Sequence, residues 1–415
     1  MKQILAEILT IGDEILYGQI TDTNSQWISS ELDQLGIRVI RKTTVGDTKE
    51  AILGAFAEAE NRADMVLITG GLGPTNDDLT MPMLAQYFDS EIVMNEAVLE
   101  HVKHFFESRG RTFTELNKRQ ALVPEVAEVL HNEMGTAPGT WYERNGKVFV
   151  SMPGVPHEMK NLMKTLVLPK LAKFFKTPVI YHKLIKTVGI GESFLADKIK
   201  DWEDSLPQHI SLAYLPSVGQ VRLRLTAVGE HRDELKADVQ KLIDKLIPLA
   251  ESYIYGYDDT TLEEAVGQLL KAQGKTIALA ESCSGGYVQH KITTIAGSSE
   301  YFQGGVVPYH NHHKINVLGV KPETLEAHGA VSEECVKEMA EGVRTLFKAD
   351  IGASSSGIAG PGGGTEEKPV GTVWIAFADG KETITKKLQL TQNRLLNIEL
   401  TQIAVLNLVR KSLNR

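Results

Sequence analysis

Cysteine is nearly absent from this chain of 415 residues, which contains only Cys283 and Cys335. Two thiols cannot staple several domains, and neither lies in a CxxC or Cys/His zinc spacing, so a disulfide framework is excluded and a reducing compartment is expected. Long apolar runs are missing as well. No segment reaches the roughly 18 consecutive apolar residues of a membrane span. The opening stretch MKQILAEILTIGDEIL carries Glu7, Asp13 and Glu14 among its apolar residues, which is unlike a secretory leader. A cytoplasmic protein with no membrane partner is expected. Positive charge is in deficit, with 44 Lys+Arg against 53 Asp+Glu and a net charge of −9. That balance argues against a nucleic-acid partner, whose affinity would rest on clustered Lys and Arg.

What is present is enough apolar residue for several cores, 42% of the chain, and a length that suggests two to four domains. Residues 1–168 alternate short apolar runs with amphipathic stretches (ILAEILTIG, DTNSQWISSELDQLG, IRVIRKTTVG, DTKEAILGAFAEAENR, DMVLITGG), which predicts a parallel α/β sheet covered by helices. Asp47 is expected to cap the helix that follows it, with Glu50 as capping-box partner, and Gly36 to end the preceding one. Residues 169–253 change texture. In VRLRLTAVG, Val221, Leu223 and Leu225 face one way and Arg222 and Arg224 the other, predicting a small α+β unit with a half-exposed strand. Residues 254–415 return to α/β alternation, opening with a helix striped by Leu262, Val266, Leu269 and Leu270 and closing with a long helix from about Asn393. The fold class is therefore multidomain α/β with a small α+β middle domain.

The first chemical cluster is LITGGLGPTNDDLT. Gly70, Gly71 and Gly73 follow a predicted strand, and Thr75, Asp77 and Asp78 stand where a helix should begin. Glycines there let backbone N–H groups approach a phosphate; a plain capped strand-to-helix turn is the competing reading. Asp13 and Glu14 after the first strand and Asp47 after the second add carboxylates at the same sheet edge, where open α/β sheets bind ligands. Acids beside a phosphate cradle call for a divalent cation between them.

The second cluster is KTIALAESCSGGYVQHKI, read as strand, tight loop and helix. Ser282 would meet free loop and helix amides able to hold an oxyanion. Lys314, in the following PYHNHHK, would serve as its base if burial or nearby positive charge kept the amine neutral. Cys283 is a rival nucleophile or a small core residue. The run His310, His312 and His313 is either a metal cluster or an exposed turn. GIAGPGGGTEE supplies a glycine loop after Ser356 that would approach a phosphate or simply connect two strands.

GDEIL…GQITDTN, VGD, GGLGPTNDDLT and PGVPHEM together resemble the N-terminal domain of the CinA (competence/damage-inducible) proteins, which is similar to the molybdopterin-binding MoaB/MogA fold. ALAESCSGG, GSSEYFQGGVVPY, LGV-ETLEAHGAVSEE and GIAGPGGGTEEKPVGTVW resemble the C-terminal CinA domain and the stand-alone PncC proteins. For the N-terminal domain the resemblance implies a three-layer α/β fold that hydrolyses the diphosphate of ADP-ribose with Mg, Mn or Co. Asp47 and Asp78 would be its functional acids, Asp13, Asp77, Asp78 and Glu158 the metal ligands, and Gly70, Gly71, Gly73 and Thr75 the substrate cradle. For the C-terminal domain it implies deamidation of nicotinamide mononucleotide (NMN) without a cofactor. Ser282 would be the nucleophile, Lys314 its base and Tyr309 a relay, with Ser284, Gly285, Gly286, Asn311, Ser356, Gly357 and Arg394 holding substrate. The resemblance also implies a homodimer. An alternative role is a regulatory protein that binds a nucleotide or pterin without turnover. Two departures from the family pattern stand out. His310, His312 and His313 crowd the proposed base, where their charge would help depress the lysine pKa, and the second arginine expected shortly after Arg394 is missing, the chain continuing LLNIELT.

Overall fold

The computed structural model describes residues 3–415. Two compact units emerge. One runs to Tyr181 and takes in Val228–Leu235; the other comprises His182–Ala227 and Lys236–Arg415. No helix among the described residues is long and apolar enough to cross a membrane.

In the first unit a six-stranded sheet has the order Ile37–Val45, Ile4–Ile11, Met65–Thr69, Lys147–Met152, Gly139–Arg144, Glu128–Leu130. The first four strands are parallel and the last two antiparallel. The expected parallel sheet thus gains an antiparallel edge, because the tight Asn145–Gly146 turn, both residues at positive φ, folds Lys147–Met152 directly back on its predecessor. Met65–Thr69 is buried throughout, as a strand covered on both faces must be. Ile28, Leu32, Met159 and Met163 pack one face, and Ile52, Phe56 and Leu84 the other.

The helix ends are only partly as the sequence suggested. Gly36, at φ +74, follows the helix Thr23–Gln34 as expected. The helix Lys49–Arg62, however, has Thr48 as its N-cap residue and no side-chain cap. Asp47 lies one residue too early, and its Oδ2 accepts from the Asp13 amide at 3.0 Å instead. Likewise Asp77 and Asp78 remain in the loop, and the next helix begins at Thr80.

The second unit holds one sheet whole and most of another. The smaller has the order Ile210–Ser217, Gln220–Gly229, Val179–Val188, Ile254–Tyr257. Val221, Leu223 and Leu225 are buried on it while Arg224 is exposed, as alternation requires. The larger has the order Phe302–Val306, Ile277–Glu281, Ile351–Gly357, Thr372–Ala378, Thr383–Gln389, with its first three strands parallel. The helices Leu262–Ala272 and Arg394–Leu413 close one face through Val266, Leu270, Leu406 and Val409. Each such fully buried side chain contributes about 1.5–3 kcal/mol. The helix Glu333–Phe347 closes the other face through Met339 and Val343. Within this unit, Gly189 lies so close to Asn407 that a Cβ would stand 2.6 Å from its Nδ2.

Gly70 fixes the first unit's glycine turn. Its φ is +99, and a Cβ would stand 2.1 Å from the Ile11 carbonyl oxygen. Gly70→Ala is expected to lower the unfolding free energy by about 2–3 kcal/mol. Chemical denaturation reads this, and a change inside about 0.5 kcal/mol would show that the turn relaxes.

Candidate active site

Each α/β sheet opens a cavity at the carboxyl ends of its parallel strands, where chain reversal leaves backbone amides and loop side chains free to meet a ligand. In the first unit this cavity is about 440 Å³ and is lined by Glu14, Asp47, Gly70, Gly71, Gly73, Asp77, Asp78 and Glu158. Thr75 lines an adjoining space of about 230 Å³ that shares Gly71, Gly73 and Asp78. Asp13 stands back: its carboxylate lies against Gly46, and Tyr17 donates to it at 3.3 Å.

The acids line one cavity without converging. Among the described residues no three His, Cys, Asp or Glu side chains stand together at metal-holding distance. Asp78 is committed to its own loop, one oxygen accepting from the Gly73 amide at 2.7 Å and the other from the Thr75 amide at 2.9 Å and the Thr75 hydroxyl. Glu158 Oε2 accepts from Asn132 Nδ2 at 2.6 Å. Asp13, Asp77, Asp78 and Glu158 therefore do not fit a ready-made cation cage. Asp47 differs from them. Burial pushes its carboxyl above the ordinary carboxylate value, and the charges of Asp13, Glu14 and Asp77 push the same way against the bond from the Asp13 amide. An acid so perturbed in a cleft is suited to proton transfer.

In the second unit the cavity is about 290 Å³, and its lining includes Ser282, Tyr309, Asn311, Lys314, Ser356, Gly357 and Arg394. Residues far apart in sequence thus meet in one pocket. Ser284, Gly285 and Gly286 line a neighbouring groove instead. Lys314 sits on the helix Asn311–Leu318 and is only 1% exposed. Its Nζ donates to Ser282 Oγ at 3.2 Å, to the Pro308 carbonyl at 2.9 Å and to the Tyr309 carbonyl at 3.4 Å. Burial holds its pKa below the ordinary lysine value, and no carboxylate pairs with it among the described residues. An amine that loses its charge easily beside a hydroxyl is the geometry of a Ser-Lys pair.

The histidines act otherwise than the sequence suggested. His310 is the helix cap, its Nδ1 accepting from the His312 amide at 3.2 Å, and His312 bonds Asn316. All three imidazoles are exposed, and burial, not their charge, depresses Lys314. Cys283 belongs to the apolar core, and burial pushes its thiol to about 12. A thiol so held is a poor nucleophile.

Two residues that sequence reasoning passed over shape the pocket. Glu281, 1% exposed, accepts from the Val288 and Gln289 amides at 3.0 and 2.8 Å. The start of the helix Tyr287–Thr293 is therefore already occupied. Asn397, also 1% exposed, donates to the Ala359 and Thr391 carbonyls and so ties the glycine loop to the final helix. The signal for Glu281 was an ionisable residue ending a wholly apolar strand. Asn397 gave none. Ser356 donates to the Ala330 carbonyl at 2.6 Å, leaving its oxygen free to accept. Arg394 donates to the Gly360 carbonyl at 2.8 Å and to the Tyr309 hydroxyl at 2.9 Å.

Comparison with known proteins matches three successive stretches of the chain. The family model described as a probable molybdopterin binding domain matches residues 7–173, that of the damage-inducible protein CinA KH domain residues 182–256, and that of the CinA C-terminal domain residues 259–413. A CinA-like protein of Cytophaga hutchinsonii is 55% identical over 410 residues, covering 99% of this chain and 98% of its own. One from Flavobacterium psychrophilum is 45% identical over 391 residues, covering 94% of each. A solved structure, the competence/damage inducible protein CihA of Agrobacterium tumefaciens, is 34% identical over 37% of this chain and 94% of its own, with a TM-score of 0.36. With relatives this similar over nearly its whole length, the chain belongs to the CinA family.

Proposed function

We propose that the protein is a bifunctional pyridine-nucleotide hydrolase. The C-terminal domain hydrolyses the carboxamide of NMN to nicotinic acid mononucleotide and ammonia, and the N-terminal domain hydrolyses the diphosphate of ADP-ribose. The observation that carries the first assignment is the 3.2 Å approach of the buried Lys314 amine to Ser282 Oγ.

In this reading neutral Lys314 takes the Ser282 proton as Oγ attacks the carboxamide carbon. The developing oxyanion would be met by amides of the loop that carries Ser282. As the C–N bond breaks, the lysine ammonium returns the proton to departing ammonia. Water then cleaves the acyl ester, with the lysine as base again. Arg394, already oriented by Gly360 and Tyr309, offers a guanidinium to the substrate phosphate.

In the N-terminal domain Asp47 would activate water against the diphosphate. Because the acids form no cage of their own, the Mg, Mn or Co ion would enter on the diphosphate as part of the substrate. The same lack of a cage, with the match to a molybdopterin-binding family, favours a second reading of this domain, binding a nucleotide or pterin without turnover. A cytoplasmic homodimer without membrane or nucleic-acid partners completes the proposal.

With EDTA present, the parent protein is expected to release ammonia from NMN, and Lys314→Ala to lose about 10²–10⁴-fold in turnover while staying folded. An inactive parent would refute the deamidase assignment. Because the neutral amine is the working form and burial lowers its pKa, kcat/KM should rise with pH and level off at a midpoint below the 10.5 of an ordinary lysine. A limb centred at or above that value would contradict the role of Lys314. ADP-ribose should be cleaved only with a divalent cation, and Asp47→Asn should slow it about 10²-fold or more. Tight binding without cleavage would favour the second reading.

A further inference from the structure

The side chain immediately before the proposed nucleophile has no role in the chemistry above, yet it is among the most buried charges in the unit. Glu281 ends the strand Ile277–Glu281, which lies between the other two parallel strands of its sheet, is 1% exposed, and pairs with no Lys or Arg among the described residues. Its two oxygens accept from the Val288 and Gln289 amides. A carboxylate buried without a cation is costly unless charge-assisted bonds compensate it, and here the compensation comes wholly from backbone seven and eight residues ahead. We propose that Glu281 is the positioning residue of the nucleophile loop, its carboxylate bracing strand end against helix start so that Ser282 is held at the Lys314 amine. The proposal rests on the deamidase reading for its kinetic consequence only.

The rest of the loop shows why such a brace matters. Gly285 and Gly286 reverse the chain at φ +62 and +95, conformations whose glycines also leave the backbone free to move. The ties within the loop are short-range: the Gly285 amide to the Ser282 carbonyl at 3.2 Å and the Tyr287 amide to the Ser284 carbonyl at 3.1 Å. The Ser282 amide bonds the Ser355 carbonyl and Ser284 Oγ bonds Ser355 Oγ, anchoring the loop to the next strand. Only Glu281 spans all five residues from strand to helix. Its place also means that the helix start, which would attract an anion, already holds a carboxylate.

Glu281→Gln removes the charge and turns one acceptor into a donor facing an amide. Expected are a loss in kcat for NMN of about 10²-fold and a KM within about threefold of the parent, since the phosphate-holding residues are untouched. Alkylation of Cys283 by iodoacetamide should rise at least about tenfold as its loop opens, with Cys335, fully buried on a separate helix, remaining protected. Unchanged kcat and unchanged Cys283 protection would overturn the proposal. So would equal exposure of both cysteines, which would signify general loosening. Glu281→Asp, with the charge on a shorter arm, covers a glutamine variant that fails to fold, and the same kcat loss and cysteine selectivity are expected of it. A parent without NMN turnover would refute the deamidase reading, whereas the Cys283 to Cys335 labelling ratio would still decide the role of Glu281.

Discussion

A lysine sealed inside a protein without a carboxylate to neutralise it is under constant pressure to give up its proton, because the charged form loses its hydration on burial. Lys314 is held in place by its helix, whose cap, His310, starts the turn that carries the amine inward, and by the hydrogen bonds its Nζ donates to the Pro308 and Tyr309 carbonyls, while burial presses it toward the neutral form. Much of the C-terminal domain is arranged around keeping this group dry and aimed. The parallel strands deliver Ser282 to one side of it. The strand Ile351–Gly357 delivers Ser356 and Gly357, and the final helix brings Arg394 across to Tyr309. A partnering Asp or Glu would have made a more comfortable buried pair and kept the amine charged.

Carboxylates in both units are instead turned upon the backbone. Asp78 folds the loop from Gly73 to Thr75 over itself, and Glu281 spans the loop from Ser282 to Gly286. In each case an internal anion occupies amides that a glycine-rich turn would otherwise offer to a ligand. The loop gains definition and loses part of its capacity to bind anions. The same logic explains why Asp47 stands apart among the N-terminal acids. It accepts one amide bond, from Asp13, and otherwise faces the cavity in the company of like charges.

The outline of the fold was legible in the chain because the periodicities are strong: apolar strands of five to eight residues, Gly36 as a helix stop, the Leu262–Leu270 stripe. The antiparallel edges were less so, since a hairpin and a parallel crossover begin with the same apolar run and differ only in the connection. Asp47 was misread as a cap because Asp-Thr-Lys-Glu satisfies a capping pattern, whereas the backbone turns one residue later. The grouping of Ser282, Lys314, Ser356 and Arg394 in one pocket came from motif resemblance; nothing in their spacing, over more than a hundred residues, dictates it. Glu281 and Asn397 were missed for a physical reason. Apart from the Thr391 hydroxyl that bonds Asn397, their partners are main-chain atoms, and a bond to the backbone leaves no trace in the identity of the partner residue.

The final helix shows how such backbone bonds extend beyond the pocket. Twenty residues of helix span about 30 Å. Near the start of Arg394–Leu413, Arg394 holds Gly360 and Tyr309, and Asn397 holds Ala359. Near its other end, Arg410 is buried and donates to the Ser252 and Ile254 carbonyls, while Asn407 lies against Gly189. Leu400 and Ile403, between them, lie within 3.2 Å of where a Gly219 side chain would begin. Pocket-facing and sheet-facing bonds therefore share one helix, buried along most of its length. Displacing the arginine at one end requires either breaking the helix or dragging the small sheet with it, and this stiffness lets a surface arginine be placed as accurately as a core residue.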